Sequence, residues 1–130
     1  MISKAETLQD KLTKFHSAFG HPIDESFPPP NHKIHNLKKL RRDLIKEEYH
    51  EVMDAIKNKS DEEVLKELCD LVYVCVGMCV SYGWDFDIAF NRVHNSNMSK
   101  LNDEGKPIYR EDGKVLKSDN YKPPSMKGLV

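Results

Sequence analysis

Apolar residues recur every three or four positions through most of the first hundred residues, which is the spacing of amphipathic helices. The first such pattern follows a capping-box sequence at residues 3–6 and ends at Gly20 and Pro22. Asn36 is the predicted N-cap of a second helix, which covers residues 37 to about 57. Residues 21–35, between these helices, contain four prolines and predict a loop.

Two more helices are predicted before the pattern changes. Ser60 begins a second capping-box sequence, and the helix after it is predicted to end at about Tyr82. Asp85 or Asp87 caps a fourth helix that is predicted to reach about Leu101. Beyond residue 102 glycines and prolines punctuate a polar tail, in which an Asp-Gly pair at residues 112–113 predicts a short β-hairpin.

These elements predict an all-α protein with a four-helix bundle-like fold, a short C-terminal β-hairpin and an extended tail. Residues 1–130 are predicted to form a single domain, with a helical core of about residues 3–101 and a tail of residues 102–130. Residues 71–84 carry no charge and are apolar on nearly every side of the third helix. We therefore expect this stretch at the centre of the bundle and near a subunit interface.

Five acidic residues fall where the helical pattern predicts buried positions. Glu47, Glu48 and Glu51 project into an arc of about 100° that leucines share or border. Glu67 and Asp70 lie one turn apart on the next helix, which the short connection makes an antiparallel neighbour. Buried carboxylates repel one another and take up protons unless a cation neutralises them. The pattern therefore predicts a site for a hard divalent cation with these five residues as ligands.

Two other interpretations of the acidic residues stay open. Most charged residues on helices are solvated, and the acids could belong to a non-catalytic helical interaction module that binds a structural cation or a basic peptide. Residues 47–50 also read ExxH, a motif that di-iron carboxylate proteins use. Those proteins need a second ExxH, whereas the second pair here is ExxD, and His50 lies on the far side of its helix from the acids.

Charge and composition exclude several classes of function. The formal net charge is -1 with both signs interspersed, so we expect no nucleic-acid partner and no membrane partner. The first residues lack the uninterrupted apolar run of a signal peptide, and residues 71–84 are too few to span a bilayer. The three cysteines show no zinc or disulfide pattern, and reduced thiols indicate a cytoplasmic protein.

At its acidic residues the chain resembles the MazG-like all-α nucleoside triphosphate pyrophosphohydrolases, relatives of dimeric dUTPase and phosphoribosyl-ATP pyrophosphohydrolase. The superfamily pattern is EExxE followed by ExxD on two helices, and this chain has both motifs at residues 47–51 and 67–70. Residues 93–101 resemble the distal nucleotide-contacting helix of short bacterial and phage members. The resemblance implies Mg²⁺-dependent hydrolysis of a (deoxy)nucleoside triphosphate to the monophosphate and pyrophosphate, with Mn²⁺ as an alternative ion. It also implies a homodimer or homotetramer whose sites are completed across subunits.

The chemistry of the residues agrees with this activity. A triphosphate can bind an acidic site only through bridging metal ions, which also activate the water that attacks the α-phosphorus. Glu47 or Glu48 is the candidate catalytic residue that takes the proton of this water, and the sequence does not choose between them. Arg41, Asn97 and Lys100 are candidate contacts to phosphate or sugar.

Overall fold

The computed structural model describes residues 5–24 and 36–130, so most of the predicted proline-rich loop lies outside the described residues. Four helices follow one another: α1 (Leu8–Phe19), α2 (Leu37–Asn58), α3 (Asp61–Tyr82) and α4 (Phe86–Met98). Two short strands, β1 (Ile108–Tyr109) and β2 (Val115–Leu116), pair in antiparallel register, with Ile108 opposite Leu116. The predicted all-α class and the predicted hairpin are both confirmed.

Side-chain caps begin three of the helices at the predicted residues. Oxygens of Asn36, Ser60 and Asp85 each accept a hydrogen bond from the backbone amide three residues later, at 3.0, 3.3 and 3.0 Å respectively. Each bond satisfies an amide that the first helical turn leaves without a partner. At the other end of α3, Gly83 adopts a left-handed conformation (φ 70°) and terminates the helix as predicted.

The predicted start of the first helix and the predicted end of the fourth helix are wrong. Ala5 precedes α1, and Thr7 is the N-cap: its Oγ1 accepts from the Asp10 amide at 3.1 Å, and its own amide donates to Asp10 Oδ2 at 3.0 Å. This reciprocal capping box satisfies two free amides and starts the helix one turn late, while Ser3 lies outside the described residues. The fourth helix ends at Met98 rather than Leu101.

The chain forms two compact units, residues 1–84 and 85–130. In the first unit α3 packs against both α2 and α1, and the two-residue connection makes α2 and α3 antiparallel neighbours. The buried apolar residues of the described chain all belong to this unit: Leu12, Val52, Ala55, Val76 and Val80. The prediction that residues 1–130 form a single domain stays a prediction.

The charge-free half of α3 is only partly covered within the first unit. Val76, Val80 and Ser81 are buried, which agrees with a central position for this helix. Val72 and Tyr73 remain exposed. Among the described residues, no helix combines the length and the hydropathy that crossing a membrane would require.

The second unit is held together by hydrogen bonds between α4 and the extended tail. Arg92 Nη1 donates to the carbonyl oxygens of Ser125 at 3.1 Å and Lys127 at 2.9 Å. The Ser96 hydroxyl, also on α4, donates to the Lys122 carbonyl at 2.6 Å. The tail is thus tied down along α4 by side chains that bond its backbone.

Candidate metal centre

Four carboxylates meet between α2 and α3 and form the acidic group of this protein. One ligand atom from each side chain lies within 4.8 Å of every other. Two of these side chains come from α2 and two from α3, one helical turn apart on each helix, so the antiparallel packing brings two carboxylate pairs face to face. The members of the acidic group are Glu48, Glu51, Glu67 and Asp70.

Glu47 is the one predicted ligand that this group does not include. Its side chain is exposed, and on the helical wheel it lies about 100° from Glu48, which points towards α3. The predicted burial of the acids is therefore right for only part of the motif. Glu48 is half-buried, whereas Glu47 and Glu51 are exposed.

The acidic group contains carboxylate oxygens that lack hydrogen-bond partners. Glu48 Oε2 and Glu67 Oε2 are both fully buried, and neither accepts a hydrogen bond from residues 5–24 or 36–130. Burying a carboxylate oxygen without a donor is costly, because the oxygen loses its water and receives nothing in exchange. The two orphaned oxygens come from different helices, so a ligand that satisfied both would also hold α2 against α3.

Lys66 supplies the only ion pairs that the described residues make with this group. Its Nζ lies 2.7 Å from Asp70 Oδ2 and 3.3 Å from Glu67 Oε1, and these carboxylates raise the pKa of Lys66. Sequence reasoning missed this residue, although a lysine four residues before an acid on a helix is a visible signal. Because Lys66 is exposed, its pairs are weak and a tighter cation can replace them.

Crowding of the four carboxylates makes Glu48 bind a proton more tightly. Burial, followed by the negative charge of Glu51, raises the pKa of the Glu48 carboxyl from 4.5 to about 7. Asp70 and Glu67 contribute in the same direction. The proton on Glu48 therefore lowers the negative charge of the acidic group.

The donor set fits a hard divalent cation. All four side chains are carboxylates with no histidine or cysteine among them, which suits Mg²⁺, Ca²⁺ or Mn²⁺ better than zinc or copper. Two oxygens on one Mg²⁺, each about 2.1 Å from the ion, are at most about 4 Å apart. The 4.8 Å spread of the ligand atoms is close to that limit. Small side-chain rotations would be enough to bring these oxygens within that limit.

The predicted phosphate and sugar contacts lie outside this group. Arg41 is on α2 but is buried, and its Nη2 donates to the Val74 carbonyl of α3 at 2.9 Å. Asn97 is exposed and Lys100 is partly buried, both in the second unit. A nucleotide contact by any of the three stays a prediction.

A model of the phosphoribosyl-ATP pyrophosphohydrolase family matches residues 12–97, which is more than half of the chain. The chain belongs to this family. The family is part of the MazG-like nucleoside triphosphate pyrophosphohydrolase superfamily, so the predicted relationship is confirmed. The matched region contains the whole acidic group together with Glu47, Arg41 and Asn97, and it ends before Lys100. Membership supports a nucleotide pyrophosphohydrolase type of activity, and the family is typically dependent on divalent metal.

A viral protein is also similar to this chain. An uncharacterized protein of Acanthamoeba polyphaga mimivirus is 31% identical over 120 residues. The match covers 89% of this chain and 44% of the viral protein, so the chain spans less than half of that relative's length.

The raised pKa of Glu48 predicts how the stability of the metal-free protein depends on pH. The folded protein keeps a proton on Glu48 up to about pH 7, whereas the unfolded chain releases it near 4.5, so stability falls as pH rises between these values. In EDTA, the melting temperature of the wild type should therefore fall more steeply between about pH 4.5 and about pH 7 than that of Glu48→Gln, which cannot ionise. Glu47→Gln, at an exposed neighbour, should follow the wild type. Parallel profiles for the wild type and Glu48→Gln would contradict the raised pKa.

Proposed function

We propose that this protein is a divalent-metal-dependent nucleoside triphosphate pyrophosphohydrolase, which converts a (deoxy)nucleoside triphosphate to the monophosphate and pyrophosphate. The observation that carries the proposal is the acidic group, with two buried oxygens that come from opposite helices and have no hydrogen-bond partner in the described part of the chain. Membership of the phosphoribosyl-ATP pyrophosphohydrolase family supports the type of reaction. The triphosphate substrate and the preference for Mg²⁺, with Mn²⁺ as an alternative, are the finer part of the proposal.

The charge of the site determines how a substrate can bind. A triphosphate is itself strongly anionic, so four carboxylates would repel it unless cations lie between them. The acidic group would hold these cations and Lys66 would give up its ion pairs with Glu67 and Asp70. Bound divalent ions would neutralise the phosphates, stabilise the leaving pyrophosphate and activate a water molecule for attack on the α-phosphorus.

Glu47 is our candidate for the residue that takes the proton from the attacking water. The sequence leaves this role to Glu47 or Glu48. In the structure Glu48 points a buried oxygen between α2 and α3 and belongs to the acidic group, so its lone pairs are needed for metal. Glu47 lies beside it on α2, outside the group, and its exposed side chain remains available for proton transfer.

Two alternatives would use the same geometry differently. An interaction module would hold a structural cation in the acidic group without hydrolysing anything. A di-iron protein would need histidine ligands, and the acidic group contains none, while His50 is exposed. Measuring both metal binding and hydrolysis separates these alternatives from the enzyme.

A nucleotide panel tests the proposed activity. Ribo- and deoxynucleoside triphosphates, together with phosphoribosyl-ATP, would be incubated with Mg²⁺, Mn²⁺ or EDTA, and the released pyrophosphate measured. We expect pyrophosphate from at least one nucleoside triphosphate, only with metal present, and none from Asp70→Asn, which removes a ligand. Hydrolysis of phosphoribosyl-ATP, with no hydrolysis of any nucleoside triphosphate, would contradict the proposed triphosphate substrate. Metal binding that raises the melting temperature without any hydrolysis would favour the interaction module.

Substitutions at the two adjacent glutamates should separate metal binding from proton transfer. Glu47→Gln should lower kcat by about 10²- to 10⁴-fold, the usual contribution of a general base, and leave the affinity for Mn²⁺ unchanged. Glu48→Gln should weaken Mn²⁺ binding and activity together, because it removes an anionic ligand. Both quantities can be measured by calorimetric titration of the metal and by pyrophosphate release. Weakened metal binding in Glu47→Gln would instead make it a ligand, as the sequence predicted.

Self-association through the exposed apolar surface of α1 and α3 is part of the proposal. Leu8, Leu68, Val72 and Tyr73 line an open groove of about 480 Å³ and are all more than a third exposed. An exposed apolar surface of this kind is typical of an interface between subunits. A second copy of the chain would cover it in the expected homodimer or homotetramer.

Light scattering tests this assembly. We expect a dimer or tetramer for the wild type and a monomer for Leu68→Arg, because the substitution places a charge in the apolar contact. Ile56→Arg, on an exposed apolar residue of α2, is the matched control and should keep the wild-type mass. A wild type that is monomeric at micromolar concentration and fully active would contradict a shared site.

A further inference from the structure

Arg41 occupies an unusual position for a charged residue. Only 4% of its surface is exposed, and it lies where α2 packs against α3. Its Nη2 donates to the Val74 carbonyl at 2.9 Å. Among the described residues its buried Nε has no hydrogen-bond partner, and Arg41 forms no salt bridge to an acid. Burial lowers the pKa of Arg41 from its ordinary value. Packing alone would favour an apolar residue here, since burying an unpaired charge is costly.

The opposite helix leaves space for this guanidinium at Gly77. A Cβ atom at residue 77 would lie 2.2 Å from Arg41 Nη2 and 3.2 Å from Arg41 Cζ, which is too close for the side chain to stay in place. His16 closes the space from α1: its ring is buried, its Nδ1 pairs with the Pro22 carbonyl at 2.9 Å, and its Nε2 would lie 3.2 Å from the same Cβ. The fold thus provides a fitted slot for Arg41 at a position where three helices meet.

The slot is close to the acidic group along both helices. Arg41 precedes Glu48 by seven residues, which is about 10 Å along α2 on nearly the same face. Val74 follows Asp70 by four residues, which is about 6 Å along α3. The bond between Arg41 and Val74 therefore links the two helices beside the place where their carboxylates meet.

We propose that Arg41 is a positioning residue of the metal site: through the Val74 carbonyl, in the space left by Gly77, it holds α2 and α3 in the register that brings the acidic group together. This inference rests on the proposed function, because it assigns to the acidic group the role of binding metal. It also gives Arg41 a role other than the predicted phosphate contact, since a buried guanidinium has little surface to offer a substrate.

Arg41→Met is the first test, with Mn²⁺ affinity measured calorimetrically and the melting temperature measured in EDTA. Methionine keeps most of the packing volume but loses the hydrogen bond and the charge. We expect Mn²⁺ binding to weaken about tenfold, at the lower end of the range for residues that orient metal ligands without touching the metal. The melting temperature should stay the same or rise, because a buried unpaired charge is removed. Lys38→Met, at an exposed cation one turn earlier on α2, should change neither quantity.

Gly77→Ala is the second test and leaves Arg41 itself intact. The new methyl group displaces the guanidinium from its slot, so Mn²⁺ binding should weaken although no charge has changed. Ser81→Ala is the matched control, since Ser81 lies one turn further along α3, is fully buried and has a hydroxyl with no hydrogen-bond partner among the residues that the structure describes. It should bind Mn²⁺ like the wild type. Comparing Gly77→Ala with Ser81→Ala tests the positioning role of Arg41 even if Arg41→Met does not fold.

The outcomes distinguish this inference from the proposed function. Wild-type Mn²⁺ affinity in Arg41→Met or Gly77→Ala, with Mn²⁺ binding intact in the wild type, would overturn the positioning role and leave the metal site standing. An Arg41→Met variant with normal Mn²⁺ affinity but a raised KM for the nucleotide would make Arg41 a substrate contact. A wild type that binds no Mn²⁺ would overturn the proposed function and this inference with it.

Discussion

Repulsion among four carboxylates is the physical constraint at the interface between α2 and α3. The metal-free chain compensates for it in two ways, with the exposed ion pairs of Lys66 and with a proton held on Glu48 at a pKa of about 7. Lys66 meets Glu67 only through Oε1, and the buried Oε2 atoms of Glu48 and Glu67 accept no hydrogen bond from any residue that the structure describes. The interface is therefore less stable than an apolar one would be, and the deficit is of the kind that a divalent cation removes.

The interior next to this interface is polar to an unusual degree. His16, Arg41 and Ser81 are as deeply buried as the valines and the leucine of the core. Polar groups at such positions hold a geometry in place, because hydrogen bonds are directional while apolar contacts tolerate sliding. The metal-site proposal needs that property, since carboxylates on two helices must keep their spacing to a fraction of an ångström.

The acidic group and the predicted nucleotide contacts belong to different compact units of the chain. All members of the acidic group, and the residues that would hold it in register, lie in the first unit. Asn97 and Lys100, the predicted nucleotide contacts, lie in the second unit, where α4 and the tail are joined by hydrogen bonds to backbone carbonyls. Metal binding can accordingly be studied through substitutions that leave the second unit untouched.

The class of fold and three of the helix starts could be predicted from the sequence, and four of the five carboxylates predicted as ligands do lie together. These features are local: a cap acts within three residues, and carboxylates one turn apart share a face wherever the helix lies. Three features depend instead on how the helices pack: Glu47 stays outside the acidic group, Lys66 pairs with two of its members, and Arg41 is buried in a slot beside Gly77. A helical wheel gives the direction of a side chain about its own axis. What that side chain meets depends on how closely, and in what register, the neighbouring helix packs, and distant parts of the chain set both.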